Sequence, residues 1–183
     1  MDSAREDPAI GAFSASLAGL QAGMIATLWM LAWLGISAVW RRSSFWTAAN
    51  LLASTFYGSA AIHSGFSTST VSGLALYLFA YSTLGGLFAA VVRNRLPRLR
   101  LLLLSVVVAV AWYYLTFHGI WKTLSPLVTL LHAEQATLLG HVVYGIVLAR
   151  FPRYLPQVSS ATANELPAAV ADQEPAAWKS PDS

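Results

Sequence analysis

The segment "HAEQATLLGHVVYGIVLARFPRYL", residues 132 to 155, places two imidazoles and a carboxylate, His132, Glu134 and His141, in a stretch that is otherwise apolar until an Arg-Pro-Arg stop. Those side chains are the ones that relay protons, hold cations or orient the polar head of a ligand inside a membrane. On one continuous helix Glu134 and His141 lie on nearly the same face, about 10 Å apart at a rise of about 1.5 Å per residue. They do not touch at that distance, and water or a third group must link them. The small residues Ala133, Thr137, Gly145 and Ala149 share the stripe of His141. Small stripes face other helices, so His141 is expected to point into a bundle. The candidate polar pocket is therefore Glu134 at an outer mouth, His141 deeper, with His132 and, from an earlier helix, Tyr81. The competing reading is structural, with a neutral His141 bonded to a carbonyl or to a Tyr or Ser on a neighbouring helix.

Enzyme chemistry has little to work with. Glu134 is the only carboxylate between Asp7 and Glu165, and the chain has no cysteine. Paired-carboxylate catalysis, magnesium-dependent phosphoryl transfer, thiolate zinc sites and iron-sulfur clusters all lack their groups. Ser125, His132 and Glu134 form no triad without a nucleophile elbow, and Gly85-Gly86 reads as a helix contact, not a phosphate loop. The expectation is a non-enzymatic protein with no bound cofactor. Four histidines keep a haem- or metal-binding electron carrier as the alternative, but His63, His118 and His132 map near one surface and none of the four shares a ligand spacing of three or four residues. A proton-coupled transporter using His141 is a further alternative.

Positioning these residues falls to apolar helices. The 183-residue chain is 56% hydrophobic and 10% charged, where a soluble domain carries about 25% charged residues. Its charges collect at the termini and in short clusters, the pattern of a polytopic membrane protein whose partner is the lipid bilayer and not nucleic acid. Spans are expected within residues 12 to 40, over 71 to 92, over 101 to 121, and from Pro126 or Ala136 to Arg150. Residues 45 to 66 carry Asn50 and His63 and suit an interfacial or re-entrant helix better than a crossing. Ala15, Gly19, Gly23 and Thr27 make a small-residue stripe on the first helix, fitted to a partner within the chain or in a homo-oligomer.

Arg93, Arg95, Arg98 and Arg100, with Arg150 and Arg153, belong on the cytoplasmic side by the positive-inside rule. Whether residues 45 to 66 cross decides the side of Arg41 and Arg42. Setting Tyr81-Ser-Thr-Leu-Gly85 against His141-Val-Val-Tyr-Gly145 aligns two helices that each end in an Arg- and Pro-containing loop, which favours four spans.

The motifs "GLQAGMIATLWM", "GLALYLFAYSTLGGLFA" and "LLGHVVYGIVLARFP" resemble a group of small uncharacterised bacterial inner-membrane proteins with an AGxxAT-M first helix and a closing H-x-x-YG-x-x-L helix. The likeness spans residues 12 to 152 and implies four spans and no known activity. Tyr77 or Tyr81 stands where such proteins often place a histidine, and Ala149 replaces a glycine.

Together these readings give an all-α integral membrane protein of the bacterial inner membrane, with four transmembrane helices as two pseudo-repeated pairs plus an interfacial or re-entrant helix. Residues 1–11 form a polar N-terminal segment, 12–152 the transmembrane domain, and 153–183 a disordered cytoplasmic tail. Helix packing rests on Gly19, Gly23, Gly85 and Gly145, and the role is a membrane subunit or small carrier with an outward polar pocket.

Overall fold

The computed structural model describes residues 8–93 and 96–155, so the tail from residue 156 and the first seven residues lie outside the described residues. Every regular element among the described residues is helical. Helix α1 runs Pro8–Trp40, α2 Thr47–Tyr57, α3 Thr68–Val92, and α4 Arg98–Tyr114; α5 (Trp121–Leu124), α6 (Pro126–Leu131) and α7 (Glu134–Leu148) follow. A π-helical stretch, Leu115–Ile120, joins α4 to α5 without a break in the rod.

Among the described residues three helical stretches are long and apolar enough to cross a membrane: Gly11–Trp40, Thr68–Val92 and Arg98–Leu124. Their apolar residues face outward as well as inward. Leu17, Met24, Leu28 and Trp29 on α1 and Phe79, Leu87 and Val91 on α3 are all exposed. A helix apolar on every side suits a lipid solvent.

Of the two starts expected for the last span, Pro126 and Ala136, the earlier one is cut off from the rest of the helix. His132 and Ala133 adopt extended backbone conformations that separate α6 from α7, and α7 is 15 residues long. Ser125 breaks the chain a first time, and Pro126 then opens α6 where its missing N–H costs nothing. Residues 45 to 66 form α2 and a 3-10 turn, Ser59–His63, with α2 lying against α3. Asn50, fully buried, explains the polar character of this segment: its amide donates to the Gly65 carbonyl at 2.7 Å and accepts from the Thr70 hydroxyl at 2.6 Å. The Ser67–Thr70 capping box starts α3 beside it.

Helix α1 is central, packing against α3 on one side and α7 on the other, while α4 packs along α7. Neighbours are antiparallel: Gly19 and Gly23 meet Gly85 and Ser82 of α3, Met30 meets Gly140 of α7, and Gly145 meets Ser105 and Val106 of α4. Helices α3 and α4 follow one another in sequence yet make no extended contact, leaving a cleft between them. At one end, the arginine end, lie Arg93, Arg98, Arg150 and Arg153; at the other, the cap end, α2, α5 and α6 gather over the bundle. The boundaries at 11 and 152 fall inside elements. Helix α1 already includes residues 8 to 11, and the 3-10 turn Phe151–Tyr154 stays with the bundle through fully buried Phe151, 6.0 Å from the Phe88 ring.

Candidate functional site

His141 is buried at the centre of the bundle, 1% exposed. Its Nδ1 lies 2.7 Å from the Thr137 carbonyl, which accepts only, so Nδ1 carries the hydrogen. In the neutral ring Nε2 is then the acceptor, and the Tyr81 hydroxyl of α3 donates to it at 2.7 Å. The Tyr144 hydroxyl closes the clamp from α7 by donating to the Tyr81 carbonyl at 2.6 Å. Helices α3 and α7 are thus tied by two side-chain bonds, with Tyr81 edge-on to both His141 and Tyr144.

His132 repeats the arrangement nearer the cap. Its Nδ1 lies 2.7 Å from the Thr129 carbonyl, its Nε2 is 3.5 Å from the Tyr113 hydroxyl, and its ring stacks on Phe117 at 4.4 Å. Tyr113, fully buried, stands between the two histidines, 5.2 Å from the His141 ring and 6.3 Å from that of His132. These two tyrosine-histidine pairs come from the sequence candidates His132, His141 and Tyr81, with Tyr113 and Tyr144 added by the fold.

Glu134 does not join them. It opens α7 with its side chain exposed, and it lines neither the space beneath the cap nor the cleft between α3 and α4. The break at His132 and Ala133 starts a new helix at Glu134 and turns that first residue to the surface, whereas His141, two turns on, faces inward.

A chamber of about 40 Å³ lies beneath the cap, walled by Leu34 from α1, Arg41 in the turn that follows it, Thr47 and Leu52 from α2, Tyr77, Phe117, His132 and Thr137. At about 10–15 Å³ per water it holds about three waters or a small polar head. The α3–α4 cleft, about 130 Å³, shares Leu52, Tyr77 and Phe117 with it and adds Tyr81, Trp112 and Trp121. Tyr77 therefore stands in the wall between the two spaces. It is 6% exposed, and its hydroxyl makes no hydrogen bond among the described residues, while its ring stacks on Tyr81 at 5.8 Å. On the cleft, Trp112 also has a buried Nε1 without a hydrogen-bond partner among the described residues.

Among the described residues no three of His, Asp and Glu gather in a metal-binding group. His63 is exposed in its 3-10 turn, and exposed His118 stacks on Tyr114 at 5.4 Å. Sequence reasoning treats Arg41 as a topology signal alone and gives Tyr77 no role in the pocket. The signal that finds Tyr77 is its place one turn before Tyr81 on an apolar helix, which puts both rings on one face.

Gly19, Gly23 and Gly85 let α1 and α3 touch backbone to backbone. A Cβ on Gly85 would lie 2.6 Å from the Gly19 carbonyl and 2.9 Å from Gly23 Cα. Gly145 does the same for α7 against α4, where the Ser105 hydroxyl donates to the Gly145 carbonyl at 2.8 Å. The homo-oligomer contact considered for the Gly19 stripe is thus taken up by α3 of the same chain.

Among the described residues the architecture is that of an all-helical protein with three membrane-length apolar helices, a buried tyrosine-histidine network and an adjoining chamber of mixed polar and apolar lining. Within that class the chain belongs to a family of unknown function, DUF6789, whose profile matches residues 13–163. Membership of an uncharacterised family is what the helix motifs implied. No curated protein matches the chain, and no solved structure does.

Proposed function

We propose that this is a four-span protein of the bacterial inner membrane, without catalytic activity, that binds a small amphipathic ligand and serves as a carrier or ligand-binding membrane subunit. The polar or anionic head sits in the chamber between Arg41, His132 and Tyr77, and the apolar body lies in the α3–α4 cleft among Tyr81, Trp112 and Trp121. The observation that carries this reading is Tyr77. Its ring is buried but its hydroxyl has no protein partner among the described residues and is not sealed off, so an acceptor on a ligand in the adjoining space would supply a bond the protein does not.

In this reading α7 is the fourth span, although a short one. At about 1.5 Å per residue its 15 residues cover about 22 Å, short of a hydrocarbon core of about 30 Å. Packing by α1 and α4 covers much of its surface, however, and the chain continues in a helical turn to Tyr154. The pseudo-repeat also has geometric support. Tyr81 and His141, 60 positions apart, bond to one another, and Gly85 and Gly145, at the same offset, each receive the neighbouring helix. The arginine end, with the tail, is cytoplasmic in this reading, and the cap faces outward.

Binding is favoured over the alternatives by how the polar groups are used. His141 commits one ring nitrogen to Thr137 and the other to Tyr81, leaving neither for a metal or haem. The exposed Glu134 side chain makes no hydrogen bond to another side chain among the described residues.

The test is purification in mild detergent from the native membrane, followed by extraction and mass spectrometry of retained small molecules. The expected result is one amphiphile near equimolar ratio, depleted about tenfold or more in Tyr77→Phe and Arg41→Gln, each lost charge-assisted or buried bond being worth about 1.4 kcal/mol or more. Equal retention by the wild type and both variants would sink the proposal. Because the chain lacks cysteine, single Ser43→Cys and Arg153→Cys variants report topology: an impermeant maleimide should label the first in intact cells and the second only after permeabilisation.

A further inference from the structure

A second, larger space lies at the opposite end of the bundle. Between the start of α4 and the end of α7 is a groove of about 550 Å³ whose rim carries Arg98, Arg150 and Arg153 and whose walls are apolar, with Leu101, Leu102 and Ile146. Its size is that of ligand pockets, about 300–1,000 Å³. The three arginine side chains make no hydrogen bond or ion pair among the described residues. The one carboxylate among the described residues, Glu134, begins α7 at the other end of that helix, about 21 Å away along its axis at about 1.5 Å per residue. Three arginines thus line one groove, and no carboxylate among the described residues lies with them.

The geometry points to a binding site for an anionic phospholipid, its phosphate held by Arg98, Arg150 and Arg153 and the start of an acyl chain laid against Leu102 and Ile146. Guanidinium forks match phosphate oxygens in pairs, which makes arginine more selective here than a point charge. The apolar walls decide between occupants. The tail, with Glu165, Asp172, Glu174 and Asp182, offers carboxylates, but the apolar wall is continuous with the exposed apolar residues Leu99, Leu103 and Val107 of α4, a surface suited to lipid, and a phospholipid brings its anion and its acyl chain to such a surface in one molecule. Ile146 is 44% exposed, so the wall opens toward the surrounding medium and not into the core. This site is independent of the cap chamber, and its occupancy does not require that the chamber bind anything.

The experiment is native mass spectrometry of the full chain in detergent titrated with phosphatidylglycerol or phosphatidylcholine. The wild type should prefer the anionic lipid, and the Arg98→Gln, Arg150→Gln, Arg153→Gln triple variant should lose that preference by on the order of a hundredfold, about fivefold per arginine. Arg100→Gln removes an equal charge at the same end but away from the groove, and should change nothing. The triple Arg→Lys variant keeps the charges that set topology and should retain the greater part of the preference. If the triple Gln variant does not accumulate, Arg150→Gln alone is read against the fivefold expectation. The proposal fails if the Gln variants bind like the wild type, if Arg100→Gln loses as much, or if inorganic phosphate at equal concentration displaces the lipid. It fails also if the preference emerges only when the four tail acids are converted to amides in the full chain, since the tail would then be the occupant.

Discussion

Gly145→Ala isolates the contact between α4 and α7. A Cβ there would lie 2.7 Å from Val106 Cα, 2.9 Å from the Ser105 carbonyl oxygen and 3.0 Å from Val106 N, all backbone atoms that no rotamer change can move. Restoring an ordinary carbon contact of about 3.5–4.0 Å requires the helices to part by about 1 Å. Overpacking of this kind costs about 1–3 kcal/mol. The Ser105 hydroxyl bond to the Gly145 carbonyl, 2.8 Å long, stretches with it and adds about 0.6 kcal/mol. Against these, Ala is favoured over Gly in a helix by about 0.5–1 kcal/mol. The net expectation is destabilisation by about 2 kcal/mol. Gly119→Ala is the control, since its Cβ would meet only Leu115 Cδ1 at an ordinary 3.9 Å. It should stabilise by about 0.5–1 kcal/mol. The assay is unfolding of purified protein in mixed micelles by titration with a denaturing detergent, followed by far-UV circular dichroism. A Gly145→Ala variant within about 0.5 kcal/mol of the wild type, or equal to Gly119→Ala, would refute the close packing on which α7's place in the bundle depends.

In the same assay, a double-mutant cycle of Tyr81→Phe and His141→Leu should return a coupling energy of about 0.6–1.7 kcal/mol for the bond between α3 and α7; a coupling near zero would remove that bond. Asn50→Leu leaves the Gly65 carbonyl short of one donor and should destabilise the cap by about 1–3 kcal/mol, read as faster limited proteolysis between residues 58 and 67. Trp33→Phe removes the 2.9 Å bond from the indole N–H to the Ala136 carbonyl, and should cost about 0.5–1.5 kcal/mol by the same unfolding titration. Oxidised and reduced absorption spectra of the purified protein should be featureless in the visible, with no stoichiometric metal. A Soret band would instead make ligands of His63, His118 or His132, the histidines whose Nε2 is unbonded or held only at 3.5 Å.

Much of the candidate site is legible in the order of the residues, and the rest fails for identifiable reasons. The small-residue stripe beside His141 is a local property, because residues four apart on a helix share a face wherever the helix goes. That stripe puts His141 inside, and the structure has it 1% exposed. The same periodicity misplaces Glu134, because it assumes one continuous helix from residue 132. The extended residues His132 and Ala133 interrupt that helix, and no proline or glycine at the break announces it. Tyr113 and Tyr144 were invisible as partners of the histidines for a different reason. Their contacts join helices separated by up to 63 positions, and sequence spacing carries no information on which helix faces which.

The sequence by itself determined what is local. Charge-poor apolar runs made long helices, the glycine stripes made surfaces on which helices touch, and the arginine clusters marked one end. Which stripe meets which was decided by the tertiary structure: Gly19 and Gly23 against Gly85, Gly145 against Val106, and α3 left apart from α4 although the chain runs directly between them. The physical reason lies in the interactions. Helix formation is a balance struck within a few residues, whereas helix pairing depends on backbone approaches of about 3 Å that only the complete set of interfaces can satisfy together. The chamber and the arginine groove are what remains between those interfaces, and for that reason neither could be read from any one segment.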